Sequence, residues 1–388
     1  MPFEPSKRLQ ALPPYLFVEI DRKRREAVAA GKDVINLGIG DPDRPTPKFI
    51  VEKMAAAIED PRNHRYPFDV GVPEFRRQAA ASLDRKYGVA IDPDRELIAL
   101  IGSKEGLGHL PLAVVNPGDA VLVPQPGYPV YAAAATFAGG VPYTLPLSEQ
   151  SGWLPDLDAV PADVRGRASL MYLNYPNNPT AAVATQAFFE RAVAFARKYD
   201  IVIAQDAAYA DLFFDQPPLS ILSVEGAKDV AIEFHSLSKT FNMTGWRIAF
   251  AAGNADVISA LARVKSNMDS GQFNAIQAAG VEALTHPDHV QVRAMTDVYR
   301  ERRDALVTGL QAAGIRVTKP TATFYVWAPC PGGLDSMTFA SRVLEEASVV
   351  LIPGVGFGEA GEGYFRAALT IDVERINEAV ERLKRIHW

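Results

Sequence analysis

The sequence predicts an α/β protein, with a large domain on a mainly parallel, helix-covered sheet and a smaller α/β domain beside it. Three observations lead there. Continuous apolar runs alternate with Ala-rich amphipathic stretches through the middle of the chain, as strands covered on both faces by helices do. The final third changes character, with a long helical stretch followed by shorter strand-like runs. The 388 residues also exceed one simple core, on a scale of about 100–200 residues per domain.

Taken in order, residues 1–45 belong to neither core alone and bridge the two. Residues 46–285 form the large domain. Its expected strands are Leu97–Ile101, Ala120–Pro124, Ser169–Leu173, Ile201–Gln205, Val230–Phe234 and Ile248–Ala252, with helices such as Gln186–Lys198 and Asp256–Met268 between them. The uncharged stretch Ala120–Ser148 is interrupted by Pro124, Pro126, Pro129, Pro142 and Pro146. It reads as a buried strand and loop followed by a small-residue helix, not as a membrane span. A helical stretch over roughly Ala275–Ala313 leads into residues 286–388, the small domain. Strand-like Phe324–Ala328, the apolar run Val349–Ile352 and strand-like Tyr364–Thr370 follow, and an amphipathic helix ends the chain.

With 40 basic against 46 acidic side chains and a net charge of -6, the chain lacks the basic footprint of a nucleic-acid binder. Cys330 is the single cysteine, which excludes an intrachain disulfide and a cysteine-built metal site and suits a reducing cytoplasm. The first residues lack the basic-then-apolar order of a signal peptide. The expectation is a soluble, cytoplasmic protein with no membrane partner.

Several motifs carry nothing. Gly356-Phe357-Gly358-Glu359-Ala360-Gly361 satisfies GxGxxG, but a strand pattern follows it where a dinucleotide site needs a helix, so it reads as a glycine loop between strands. His286 and His289 flank a turn containing Pro287. No HExxH, GxSxG or P-loop pattern occurs, and no metal site is expected. Arg22-Lys23-Arg24-Arg25 reads as a solvated helix face.

The chemistry lies at strand ends. After an apolar strand come Ser236-Leu237-Ser238-Lys239, with Arg247 eight residues beyond the lysine. A second apolar strand delivers Asp206 at its carboxyl end, with Tyr209 three residues on. Asn174-Tyr175-Pro176-Asn177-Asn178-Pro179-Thr180 follows a third. Ligand crevices in open α/β sheets lie outside the carboxyl ends of strands. These parts suit pyridoxal 5'-phosphate, which needs a lysine amine, an acid opposite its ring nitrogen and an anion cradle. A carboxylate such as Asp206 beside the pyridine nitrogen would keep it charged. Arg247, Ser236 and Ser238 can hold phosphate oxygens. Gly102-Ser103-Lys104 opens a helix whose amides would face the same group. Tyr128 can lay its ring on the pyridine face.

Asn178-Pro179-Thr180, Asp206 with Tyr209, Ser236-Leu237-Ser238-Lys239 and Arg247 stand in the order and spacing of a known family. Over nearly its whole length the chain resembles the class I/II aminotransferases, fold-type I pyridoxal-phosphate enzymes. The resemblance implies the PLP-dependent transferase fold. It also implies that Lys239 joins the cofactor as a Schiff base and shuttles the substrate proton, while Asp206 pairs with the ring nitrogen. Asn178 and Tyr209 would bond the ring hydroxyl oxygen, Tyr128 would stack, and Ser103, Lys104, Ser236, Ser238 and Arg247 would surround the phosphate. Arg366 matches the arginine that clamps the substrate α-carboxylate, and the resemblance implies that Asn178 touches the substrate as well. Tyr66 resembles the tyrosine that reaches the neighbouring subunit's phosphate, which implies a homodimer with shared active sites. Gly40 resembles the segment that closes over the substrate.

One departure is visible: Ala181 stands where the family usually has glycine, a cost if that position needs positive φ. Ile101–Gly106, Glu233–Lys239 and Asn267–Gly271 look most like the LL-diaminopimelate aminotransferase subgroup, of lysine biosynthesis. That implies amino-group transfer between LL-diaminopimelate and 2-oxoglutarate by a ping-pong mechanism, with Tyr15, Lys104 and Asn274 at the substrate's distal end. An aspartate, alanine or broad-range aminotransferase, or a C–S lyase, would use the same core machinery. A non-catalytic regulator would need an added helix-turn-helix segment, for which the residues before the core leave no room.

Overall fold

The computed structural model describes residues 3–12 and 16–388. Twelve strands occur among these residues: β1 (Ile35–Asn36), β2 (Leu97–Leu100), β3 (Ala120–Gln125), β4 (Val141–Pro146), β5 (Ala168–Asn174), β6 (Val202–Asp206), β7 (Ala231–Ser236), β8 (Ala249–Gly253), β9 (Tyr325–Pro329), β10 (Val349–Val350), β11 (Ile352–Pro353) and β12 (Tyr364–Ala368). Seven form the large sheet in the order β2-β8-β7-β6-β5-β3-β4. Only β8 runs against the others, since it pairs antiparallel with both β2 and β7 while every remaining pair is parallel.

Side-chain alternation builds two cores on this sheet. Ala99, Met171, Leu173 and Ile203 pack on one face with Phe75, Phe188 and Ala279. Ile98, Leu170, Tyr172 and Ala204 pack on the other with Leu107, Tyr131 and Leu261. Both faces are apolar, which is why these strands read as continuous apolar runs. The strand β4 escapes that reading. It lies at the sheet edge with a mostly exposed pattern, where Pro142 and Pro146 cost no ladder bond to a further strand.

The smaller sheet is antiparallel, in the order β11-β12-β9, and β1 pairs with β10 beside it. Its core joins Phe324, Val326, Phe365 and Ala367 to Leu306, Phe339 and Ile376 from three helices. Two expectations are corrected here. The helical stretch near 275–313 is two helices, Asn274–Thr285 and Val290–Ala312, broken where Pro287 lacks a donor and the His289 ring accepts from the Gln291 amide. The run Val349–Ile352 is two strands, β10 on β1 and β11 on β12, with Leu351 at the crossing. The glycine-rich loop folds as two 3-10 turns, Gly354–Phe357 and Glu359–Gly361, before β12. Among the described residues, no helix is long and apolar enough to cross a membrane.

Candidate active site

Because β2, β5, β6 and β7 run the same way, their carboxyl ends share one edge. Asn174 and Asp206, the last residues of β5 and β6, are register partners, and Ser236 ends β7. A cavity of about 290 Å³ opens there, lined on the sheet side by Asn174, Asp206, Ser236 and Lys239 and on the other by Tyr325, Phe357 and Arg366. That is the size of a small-ligand site.

Asp206 is buried at the strand end. One carboxylate oxygen accepts from the Tyr131 hydroxyl at 2.8 Å, the other from the Ala208 amide at 3.2 Å, and its carbonyl accepts from Asn174 Nδ2. Burial pushes its carboxyl up to about 6, while Tyr131, the Ala208 amide and His235 pull against that. Lys239 sits in the short helix Leu237–Thr240, capped by Ser236, and its Nζ donates to the Gly40 carbonyl at 3.1 Å. Burial brings its amine down to about 8; the Asp41 charge opposes this, and the Arg247 and Arg366 cations add to it. The adjacent Thr240 donates to Asp211, whose carboxylate pairs with Lys86 at 2.6 Å, so the turn carrying Lys239 is anchored from below.

At another wall, Ser103 and Lys104 open the helix Ser103–Val114, placing its positive end at the cavity. Arg247 lies against Gly102, which has φ 79°; a Cβ there would come within 2.1 Å of Arg247 Nη2 and displace the guanidinium. Arg247 holds φ 55°, and Gln272 Nε2 donates to the carbonyls of both Trp246 and Arg247 at 2.7 Å, fixing that turn. Behind the loop the buried Lys265 ammonium joins Asp269 at 2.7 Å to Glu105 at 3.4 Å, and Glu105 also accepts the Ile101 amide.

Arg366 is held at both terminal nitrogens and against two aromatic rings. Its Nη1 donates to Asn178 Oδ1 and its Nη2 to the Gly38 carbonyl, both at 2.9 Å. The guanidinium lies between the rings of Tyr325, 4.2 Å from the centroid, and Phe357, at 4.8 Å. The Tyr209 and Tyr325 hydroxyls meet at 3.0 Å.

Of the residues singled out in the sequence, Gly40, Ser103, Lys104, Tyr128, Asn178, Asp206, Tyr209, Ser236, Ser238, Lys239, Arg247 and Arg366 all line this cavity. Tyr66 does not; it is 89% exposed on the surface. Asn274 opens the helix Asn274–Thr285 and does not line the cavity either. Tyr15 lies outside the described residues. Sequence reasoning missed Tyr131, Tyr325, Phe357 and Thr244, which also line it. The one signal for Tyr131 was its position three residues after Tyr128, one helical turn on.

Pyridoxal 5'-phosphate fits this donor set. The cavity brings together a buried acid, a lysine amine depressed toward neutrality, and an anion cradle of guanidinium, hydroxyls and a helix N-terminus. Two buried polar atoms, Ser238 Oγ and Arg366 Nε, have no protein partner and remain to be satisfied by a ligand.

The family model for aminotransferase class I and II matches residues 32–383. Similar proteins include LL-diaminopimelate aminotransferases of Syntrophobacter fumaroxidans, 54% identical over 100% of both chains, and of Aquifex aeolicus, 53% identical over 99% of both. Among solved structures, substrate-bound BacF of Bacillus subtilis is 40% identical with a TM-score of 0.94, covering 99% of this chain and 98% of that one. A single mutant of Thermus thermophilus aspartate aminotransferase is 32% identical with a TM-score of 0.93, covering 99% and 100%. With the cavity, its donors and these matches agreeing along the full length, the chain belongs to the class I and II aminotransferases, enzymes that depend on pyridoxal 5'-phosphate.

Proposed function

We propose that the protein transfers the amino group between LL-diaminopimelate and 2-oxoglutarate in a ping-pong cycle. The observation that carries this reading is the convergence of Lys239, Asp206 and Arg366 on one cavity, in a chain 51–54% identical to the LL-diaminopimelate aminotransferases it matches. When bound, pyridoxal 5'-phosphate supplies an electron sink for the carbanion left when an amino acid loses its α-proton. Asp206 would hold the ring nitrogen as a cation, and Asn178 and Tyr209 the ring hydroxyl oxygen. Tyr128 would cover the ring face. Ser103, Lys104, Ser236, Ser238 and Arg247 would cradle the phosphate. Arg366, already fixed between two aromatic faces, would receive the α-carboxylate through a planar fork. Lys239 Nζ, whose lowered pKa leaves part of it neutral near pH 8, would bind the aldehyde carbon and carry the substrate proton.

All three parts of the chain contribute. Residues 46–285 bring Asp206 and Lys239, residues 286–388 bring Arg366, and residues 1–45 bring Gly40 to close over the substrate. We read the protein as a homodimer in which Tyr66, exposed and outside its own cavity, reaches the neighbouring subunit's phosphate. Lys104, Asn274 and Tyr15 are proposed for the substrate's distal end.

The test is steady-state kinetics with LL-diaminopimelate, aspartate and alanine as donors and 2-oxoglutarate as acceptor. LL-diaminopimelate should give a kcat/KM at least about tenfold above the others, the scale of one well-made distal polar contact. Aspartate or alanine in the lead would replace the substrate reading with a broad-range one. Pyruvate and ammonia released without an acceptor would replace transfer with elimination. Lys239→Ala should shift the bound cofactor's absorbance to that of the free aldehyde and lose about a thousandfold or more in turnover.

A further inference from the structure

We propose that Tyr131 is a positioning residue for the cofactor ring: its hydroxyl fixes the Asp206 carboxylate in place and keeps it an acceptor for the ring nitrogen. The inference rests on the function proposed above and adds to it a residue that no motif marks. Tyr131 is fully buried in the first turn of the helix Val130–Phe137. Its ring stacks on Tyr172 at 4.8 Å and 20° and meets Tyr128 edge-on at 5.8 Å and 88°. Tyr172 is itself fixed, since its hydroxyl donates to the Leu107 carbonyl at 2.7 Å. The Tyr131 hydroxyl therefore cannot swing away from Asp206.

The carboxylate needs that donor. Tyr131, Tyr172, Tyr209 and His235 interact electrostatically with Asp206, and the titratable Lys104, Tyr128, Lys239, Arg247, Tyr325 and Arg366 line the same cavity. Among the described residues, Tyr131 is the one side chain that donates a hydrogen bond to the carboxylate. Burial and the neighbouring Asp206 charge raise the Tyr131 phenol well above its usual range, so it stays a donor at any working pH. Each carboxylate oxygen can accept more than one bond, so Asp206 retains capacity for the ring nitrogen while Tyr131 stays bound. A charge-assisted bond of this kind is worth about ten- to a hundredfold in an equilibrium constant.

Tyr131→Phe keeps the stacked ring and removes only the hydroxyl, and it separates a positioning role from a packing one. The expected result is a cofactor dissociation constant raised about ten- to a hundredfold and a kcat lowered with KM for the amino donor little changed. The resonance of 15N-labelled pyridoxal phosphate in the bound state should shift toward the unprotonated ring, and the apoprotein should keep the parent's far-UV circular dichroism while melting somewhat lower, because the buried carboxylate loses a donor. In an Asp206→Asn background the same substitution should cost nothing further, because the hydroxyl acts through the carboxylate. Unchanged cofactor affinity and an unchanged 15N resonance, or losses that simply add in the double variant, would reduce Tyr131 to core packing and overturn the proposal. The parent protein run alongside keeps the readings apart. A parent that takes up cofactor no better than Tyr131→Phe defeats this role alone. A parent that takes up none defeats the role together with the function beneath it.

Discussion

Asp206 and Ala181 each carry a local cost, and each predicts a measurable gain on removal. The Asp206 carboxyl is raised to about 6 by burial, above its unfolded value near 4. The folded state therefore holds that proton more tightly, and the ionised group lowers stability progressively as pH rises from about 4 to 6. Asp206→Asn apoprotein should match the parent near pH 4 and melt higher above pH 6, by up to about 3 kcal/mol, while cofactor binding falls. Thermal melts across that range, without cofactor, check the sign. Ala181 has φ 60°, so the alanine at the family's glycine position does sit in left-handed backbone. Ala181→Gly should stabilise by about 1 kcal/mol, the αL penalty less the glycine's entropy, read from urea midpoints. Asp206 was legible in the sequence because an apolar run ends at it, and Lys239 and Arg247 because they lie in a polar loop between two apolar runs. Tyr325 and Phe357 were not, because nothing local distinguishes an aromatic facing a cavity from one in a core.

Among the elements, strands buried on both faces were the most legible and edges the least. The parallel strands β3, β5, β6 and β7 fall within a residue or two of their expected limits, since burial on both faces leaves an unbroken apolar run. The helix Val290–Ala312 packs on Val373–Leu383 through Gly309, where a Cβ would meet Val380 Cγ2 at 2.4 Å. Gly309→Val should cost about 1–3 kcal/mol through overpacking, despite a better helix propensity. A fall in the unfolding midpoint checks this, and a variant as stable as the parent would show that the two helices can move apart freely.

At the scale of the whole molecule, the cavity exists only because distant segments meet. Arg366 bonds Asn178 across 188 residues of sequence, and Lys239 reaches Gly40 across 199. Tyr66 and Phe68 are 89% and 69% exposed on one short segment, which a second copy of the chain would cover in the proposed dimer. Sedimentation velocity should give twice the chain mass, and Tyr66→Phe should weaken cofactor binding about tenfold without changing that mass. A monomeric holoenzyme with full activity would remove the shared-site reading. By itself the sequence determined the fold class and singled out strand-end residues that line the cavity, because apolar periodicity and strand-end chemistry are local properties of the chain. Only the tertiary structure decided that β4 is an edge strand, that the helical stretch breaks at Pro287, and that Tyr131 meets Asp206. Those outcomes depend on which surfaces are covered and which groups are desolvated together, and no single segment encodes that.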